Sequence, residues 1–322
     1  MPIIGSFGAA SSRGFGRGGV GDLIQATGGT ITEDGDFKIH TFTSSGSFVV
    51  EKLSGASPGV VDYLVVAGAG GTNSYGGGSG AGGFRFYANT TVNPQTGPGA
   101  PLNNYPSGTA VTISATTYPI TVGGGGGQNP SPTAKSDPGS ASVFSTITSA
   151  GGGGAPYLSP SLPGAGESGG SGGGGVGMVP SSGGSGNQPP TTPPQGNDGG
   201  PGNTQGAHGE KGGGGGGAIG SGSSFPTGNG GAGAGITGFG TSGEPSGGQN
   251  YFSGGGAGSC EFSRPGTCVG GLGGGGNGRI SNYPSPGALQ VAENGTANTG
   301  GGAGAMSMTG GSGIVVIRYQ YK

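Results

Sequence analysis

Three short segments of the chain carry residue types that could bind a phosphate group or a metal ion. Residues 78–83 match a GxGxxG pattern, but no helix signal follows them, and so much glycine produces such strings by chance. Residues 206–212 lack the spacing and the Ser or Thr of a phosphate-binding loop. The acidic segment 33–36 lacks the downstream glutamate of a calcium loop, which favours a solvated turn. None of the three predicts a catalytic or nucleotide-binding site.

Histidine and cysteine are too few to predict a metal centre. The chain has two of each, His40 and His208, Cys260 and Cys268. His40 lies in a strand pattern, which favours a structural role over a role as a general base. The two cysteines either close a disulfide across one exposed loop or remain two reduced thiols. We therefore predict no enzymatic activity, no cofactor and no bound metal.

The composition differs from that of a disordered linker and from that of a nucleic-acid-binding protein. Glycine and proline together exceed a third of the 322 residues, a level that usually marks low-complexity sequence. Charged residues make up only 7%, whereas disordered chains generally carry a high net charge. The net charge of −2 also lacks the basic excess that nucleic acids attract. We expect an ordered chain that binds no nucleic acid and inserts into no membrane, since no apolar segment approaches roughly 20 residues.

Short β-branched and aromatic segments predict an antiparallel all-β framework over residues 23–149. These segments are bounded by Gly, Ser and Pro, which is the pattern of antiparallel strands. They occur at residues 30–32, 37–43, 47–51, 60–67, 83–88, 110–115, 118–122 and 141–149. An apolar strand at residues 313–322 cannot remain an exposed edge, so we expect it to return to this β-sandwich. Essentially no α-helix is predicted, because glycine and proline are too dense.

Glycine runs dominate residues 150–312, and their arrangement predicts packed polyglycine II helices. The runs are consecutive glycines, as at 151–154 and 212–217, so they lack the Gly-X-Y period of collagen. A polyglycine II helix has three residues per turn and no internal hydrogen bonds, so its N–H and C=O groups point outward. Helices packed side by side satisfy one another, and only glycine lets the backbones approach closely enough. We expect one long insertion that is ordered by backbone hydrogen bonds.

Aromatic residues punctuate the segments between glycine runs and are candidate contacts for a receptor. Single rings flanked by Ser, Gly and Asn resemble the composition of antibody binding loops. In the alternative interpretation, the rings cap the ends of the glycine helices as small cores. The candidates are Tyr157, Phe225, Phe239, Tyr251, Phe252, Phe262 and Tyr283.

Four segments resemble glycine-rich virion proteins of tailed phages, particularly of marine cyanophages: residues 2–16, 35–43, 61–68 and 310–319. The glycine-rich region is similar to the adhesins at the tips of T-even-like long tail fibres, in which polyglycine II helices display receptor-binding loops. The resemblance implies a virion protein made in the host cytoplasm, which agrees with a start that lacks a secretion signal. It also implies binding to a host-surface glycan or outer-membrane protein.

The glycine-rich segment 1–22 is predicted to be an arm that joins the protein to other virion proteins. Its candidate attachment residues are Ile3, Ile4, Phe7, Arg13, Phe15 and Arg17. Taken together, the features predict a non-enzymatic tail fibre or adhesin. The sequence is also compatible with a homo-oligomer. The alternative is a capsid or tail decoration protein with a purely structural role.

Overall fold

The part of the chain that the computed structural model describes is all-β, which confirms the predicted fold class. Its strands form five sheets, and no helix occurs within the described ranges. Nothing in these ranges is both helical and apolar over a length that could cross a membrane. The described residues are 24–53, 59–74, 76–88, 108–131, 134–156, 158–159, 162–177, 180–203, 212–224, 226–261, 268–281 and 288–322.

Two antiparallel sheets pack face to face as a sandwich. The five-stranded sheet has the order β1-β4-β8-β9-β10, with β1 (Ile24–Thr27), β4 (Gly46–Leu53), β8 (Thr117–Thr121), β9 (Ser142–Phe144) and β10 (Ile147–Ser149). The six-stranded sheet has the order β2-β3-β19-β5-β6, with β7 also paired to β5. Its strands are β2 (Thr30–Asp34), β3 (Phe37–Phe42), β5 (Val60–Val66), β6 (Phe84–Tyr87), β7 (Val111–Thr112) and β19 (Ile314–Gln320).

Strand β19 lies in the middle of the six-stranded sheet and pairs antiparallel with both β3 and β5. It is apolar on both faces because both faces are covered. Val315, Ile317 and Tyr319 point into the core of the sandwich, where they meet Phe48 and Phe144 from the other sheet. All five side chains are at most 1% exposed, so this core supplies much of the apolar burial. The C-terminal strand thus returns to the framework, as an apolar terminal strand requires.

A third layer covers the outer face of the six-stranded sheet. Ile236, Phe239 and Phe252 form a second apolar core there with Leu64 and Val316. Ile236 and Phe252 come from a small antiparallel sheet that the sequence patterns did not predict, because its strands are short and one contains glycine. Its order is β13-β15-β14, with β13 (Ala234–Ile236), β14 (Glu244–Ser246) and β15 (Gln249–Phe252).

Glycine runs pack side by side into a bundle that extends from the sandwich, and we call it the glycine bundle. Its principal runs are 67–72, 76–83, 123–129, 136–141, 150–156, 164–170, 171–176, 181–186, 195–202, 212–218, 228–233, 253–259, 300–305 and 308–313. The predicted boundary at residue 150 therefore does not separate the two parts. Two β-connections, residues 67–83 and 123–141, are glycine runs themselves and belong to the bundle. Small sheets accompany it, formed by β11 (Leu158–Ser159) with β12 (Leu162–Pro163), and by β16 (Cys260–Glu261), β17 (Ile280–Ser281) and β18 (Ala288–Gln290).

Hydrogen bonds repeat every third residue along a run, as three residues per turn require. In run 67–72, the first and fourth N–H groups donate to run 76–83, the second and fifth to run 136–141, and the third and sixth to run 308–313. The six N···O distances lie between 2.8 and 3.1 Å. One turn of the helix therefore serves three neighbours, which is the hydrogen-bond pattern of polyglycine II.

Run 76–83 shows the pattern for a run in the interior of the bundle. It donates N–H groups to three runs and accepts from three others, so six neighbours surround it. It donates to 212–218, 300–305 and 150–156, and it accepts from 67–72, 171–176 and 253–259. Hexagonal packing of this kind satisfies the buried backbone groups without any side chain.

Close approach of the backbones explains why the bundle needs glycine. A Cβ added to Gly82 would lie 1.9 Å from the carbonyl oxygen of Ala67. A Cβ at Gly256 would lie 1.8 Å from the carbonyl oxygen of Ala303. Neighbouring backbones cannot yield that far without breaking the hydrogen bonds that hold them.

Candidate functional site

The segments that connect glycine runs lie at two opposite ends of the bundle. Run 67–72 leaves the six-stranded sheet directly after β5, and the antiparallel run 76–83 returns to β6. Asn73 and Ser74 between them therefore lie at the end away from the sheets, which we call the far end. Run 150–156 leaves the other sheet after β10 in the same way, so its last residues also reach the far end.

Asn73 holds several far-end connections together. Its side-chain amide donates to the carbonyl oxygens of Pro156 and Ala134, the latter at 3.3 Å. Its own carbonyl oxygen accepts the N–H of Ser307 at 2.9 Å, and its backbone also pairs with Asn129. The side chain is 1% exposed. Because these partners follow or precede four different runs, the side chain and backbone of this one buried residue together fix the relative positions of their ends.

The structure joins Cys260 and Cys268 in a disulfide at the far end, with their Cα atoms 6.2 Å apart. Ser259 donates its N–H to the carbonyl oxygen of Gly76 at 2.8 Å, and this contact places the disulfide beside the start of run 76–83. Both cysteines are buried and pack with Ala257 into a small apolar cluster. The disulfide therefore lies at the far end of the bundle, beside the start of run 76–83.

Three of the seven predicted receptor-contact residues lie near the sandwich and away from the far end. Phe239 and Phe252 are 2% and 0% exposed in the second core, so their prediction as contact residues is wrong. The edge of the Phe239 ring packs on Phe86, with 5.2 Å between the centroids. Tyr251 is half-buried in β15. The hairpin that carries these rings folds back onto the six-stranded sheet, a tertiary contact that local sequence does not reveal.

The other candidate residues fall outside the described ranges. Their neighbours in sequence still locate the relevant runs. Pro156 ends a run that leads to the far end. Ser223 accepts the N–H of Gly214, which lies in the far-end part of run 212–218, and Ser224 follows it. Glu261 and Ser281 belong to the small sheet next to the disulfide. The candidates concerned are the predicted receptor-contact residues Tyr157, Phe225, Phe262 and Tyr283, and the predicted virion-attachment residues Ile3, Ile4, Phe7, Arg13, Phe15 and Arg17.

Buried ionisable groups in the sandwich have structural partners. The Nδ1 atom of His40 donates to the carbonyl oxygen of Gly28 at 2.7 Å, and its Nε2 accepts the hydroxyl of Tyr319 at 3.0 Å. Burial lowers the pKa of His40, and the hydrogen bond to Gly28 opposes this shift. Burial also lowers the pKa of Arg318, whereas the charge of Asp62 raises it. A neutral imidazole without solvent contact fits the structural role that the sequence favoured.

Two concave surfaces lie away from the far end and were not indicated by any sequence pattern. An apolar pocket of about 270 Å³ is lined by Phe84, Phe86, Pro193 and Ile219 among others. A polar groove of about 520 Å³ runs along β2 and β3, where threonine side chains predominate. Within the described ranges, no three His, Cys, Asp or Glu side chains converge as a metal site would require.

Asn, Ser, Pro and Gly are common at the far end, which also has a concave surface of about 300 Å³ lined by Ser74, Arg279, Val291, Met306 and Met308 among others. Lys135 forms an ion pair with Glu167 at 2.9 Å, and the lysine side chain is 56% exposed. Such an exposed pair contributes little stability. A surface of amides, hydroxyls and carbonyls suits hydrogen bonding to a neutral polar ligand more than attraction of a charged one.

The described residues therefore form a β-sandwich that extends into packed glycine helices, which is an all-β glycine-rich domain. The chain belongs to the glycine-rich domain family, whose family model matches residues 43–320. That match spans the sandwich from the end of β3 onward and the whole glycine bundle. No curated protein matches the chain.

Proposed function

We propose that the chain is a virion structural protein of a tailed phage, a tail fibre or adhesin that displays its far-end connections to a host receptor. One observation carries the proposal: successive glycine runs alternate in direction, so every second connection lies at the end of the bundle opposite the sandwich. Binding residues generally lie on loops that a rigid scaffold holds in place. The bundle supplies such a scaffold through hydrogen bonds between backbones.

The chemistry of the far end supports a host-surface glycan or an outer-membrane protein as the partner. Amide and hydroxyl groups are common there, and the buried Asn73 joins the ends of the neighbouring runs. Aromatic residues in the intervening segments would add rigid, amphipathic contacts at low entropic cost. In this proposal residues 1–22 attach the protein to other virion proteins, and the protein resides in the virion.

Adsorption of virions to host cells tests the proposal. We expect Tyr283→Ala combined with Phe225→Ala to slow adsorption, because both residues belong to segments between far-end runs. Tyr251→Ala is the matched control, since it removes an aromatic ring beside the sandwich and should leave adsorption unchanged. All variants must assemble into virions in equal amounts before their adsorption rates are compared.

Unchanged adsorption after replacement of every far-end connection would reject the receptor role. Labelled antibody in electron micrographs then distinguishes the alternative. Copies spread over the capsid or tail surface would identify a decoration protein, whereas copies at fibre ends belong to an adhesin.

A further inference from the structure

Run 123–128 forms an edge of the glycine bundle that is only half surrounded. Its neighbours are three runs on one side. It donates to run 67–72 through Gly126, and it accepts from runs 136–141 and 308–313. An interior run such as 76–83 has six neighbours, so half of the contacts that this geometry offers remain open among the described residues.

The open side carries rows of backbone donors without acceptors. The N–H groups of Gly124 and Gly127 lie three residues apart and therefore face the same direction, and those of Gly125 and Gln128 form a second row. None of these four groups reaches an acceptor within the described part of the chain. In run 67–72, each corresponding row is covered by the carbonyl groups of another glycine run.

Contacts with the described residues do not explain why position 124 is glycine. A Cβ added there would meet no atom within 4 Å, and its backbone is not in the left-handed region. At the next position the situation is reversed, since a Cβ on Gly125 would lie 1.9 Å from the carbonyl oxygen of Gly310. Elsewhere in the bundle, glycine is required where a second backbone approaches.

Other exposed runs carry side chains that block the approach of a further backbone. Pro138 and Pro201 are exposed on their runs, and Ile219 is 46% exposed beside run 212–218. Proteins protect the open edges of hydrogen-bonded arrays with proline and bulky or charged residues. Five consecutive glycines at 123–127 leave this edge without side chains of its own, and one charged group borders it, the exposed carboxylate of Asp137 beside Gly127.

We propose that the open side of run 123–128 binds a glycine run of a second copy of this chain, which extends the bundle across two molecules. The bundle itself shows what covers a donor row of this kind, namely the carbonyl row of a neighbouring glycine run. No charged side chain lies within 123–128, and the net charge of −2 gives only weak repulsion between copies. The proposal does not depend on receptor binding.

The chemistry of the edge also determines the kind of contact. A donor row needs carbonyl groups opposite it, so the same row of a second copy cannot be its partner. The second copy must offer a carbonyl row, from another run or from Gly125 and Gln128 of the same run, and either choice makes the contact head-to-tail. Head-to-tail contacts close into rings or continue as filaments.

Sedimentation velocity of the full-length protein over a concentration series tests the proposal. We expect the wild type to associate into rings or longer assemblies. Gly124→Ala should weaken association at least about tenfold, because the methyl group blocks the approach and leaves two donors without acceptors. At a concentration at which the wild type is monomeric, its melting temperature should equal that of the wild type, since nothing in the described part of the chain contacts the new methyl group.

Gly46→Ala, at the start of strand β4, is the matched control, because its Cβ would meet only the ring of Phe42, at 3.8 Å. It should change neither association nor melting temperature. A wild type that stays monomeric throughout the series would overturn the proposal, as would Gly124→Ala that associates like the wild type. A lower melting temperature of Gly124→Ala at a concentration at which the wild type is monomeric would also overturn it, because the edge would then already be covered within the molecule.

Discussion

A methyl group added inside the glycine bundle should destabilise the protein more than most single substitutions. Gly256→Ala places a Cβ 1.8 Å from the carbonyl oxygen of Ala303, whereas ordinary contact begins at 3.4 Å. The atoms that the new Cβ meets all belong to the backbone of Ala303, so no side-chain rotation relieves the clash. Run 300–305 must move away from run 253–259.

The hydrogen bonds between these runs determine the size of the effect. Two of them, from Gly302 to Gly254 and from Ala305 to Ala257, have N···O distances of 2.8 Å. A displacement that clears the methyl group breaks both and leaves buried donors and acceptors unsatisfied. Each broken bond of this kind costs about 1–3 kcal/mol, so we expect a loss of roughly 2–6 kcal/mol. Whole domains have about 5–15 kcal/mol of stability, so the variant should be close to unfolding.

Urea denaturation followed by tyrosine fluorescence measures this loss, since the chain has ten tyrosines and no tryptophan. Gly46→Ala serves again as the control and should stay within about 1 kcal/mol of the wild type or gain slightly. A free energy of unfolding for Gly256→Ala within about 0.5 kcal/mol of the wild type would refute the reasoning, because it would mean that backbone contact does not hold the bundle.

Two further predictions concern acid and reduction. Lowering the pH below about 6.5 should reduce the melting temperature, because burial lowers the pKa of His40 and the unfolded chain therefore takes up its proton first. His40→Phe should flatten this pH dependence, and an unchanged slope in that variant would contradict the assignment. Replacing Cys260 and Cys268 together by serine should cost about 2.5 kcal/mol in urea denaturation, since the unfolded chain regains the entropy of the opened loop. The wild type under reducing conditions should match the double variant, and a double variant as stable as the oxidised wild type would exclude this contribution.

Local sequence patterns predict the strands of this fold better than their partners. Alternating apolar residues at 60–66 and 314–320 identify β5 and β19, and the need to cover an apolar strand predicts that β19 returns to the sandwich. The glycine runs also predict their own conformation, because consecutive glycine favours a helix whose backbone groups point outward. What each run packs against cannot be deduced, since Gly70, Gly80 and Gly153 have no side chains to distinguish their neighbours.

The candidate site was predicted only in part for a related reason. Phe239 and Phe252 stand in segments that resemble exposed loops, yet a short hairpin carries them onto the six-stranded sheet. Asn73 showed no signal at all in the sequence, although its amide joins several connections. Its role depends on contacts with residues far apart in the chain, which appear only after the bundle has assembled.

The central position of β19 determines the order in which this protein can fold. The strand lies between β3 and β5, and about 250 residues separate Val66 from its partner Ile314. Closing a loop of that length costs roughly 5 kcal/mol of chain entropy before the pairing returns any free energy. Assembly of the glycine bundle brings these strands together, because runs 67–72 and 308–313 bond to each other directly beneath them. Sheet and bundle should therefore form in one slow cooperative step, in which neither part is stable before the other.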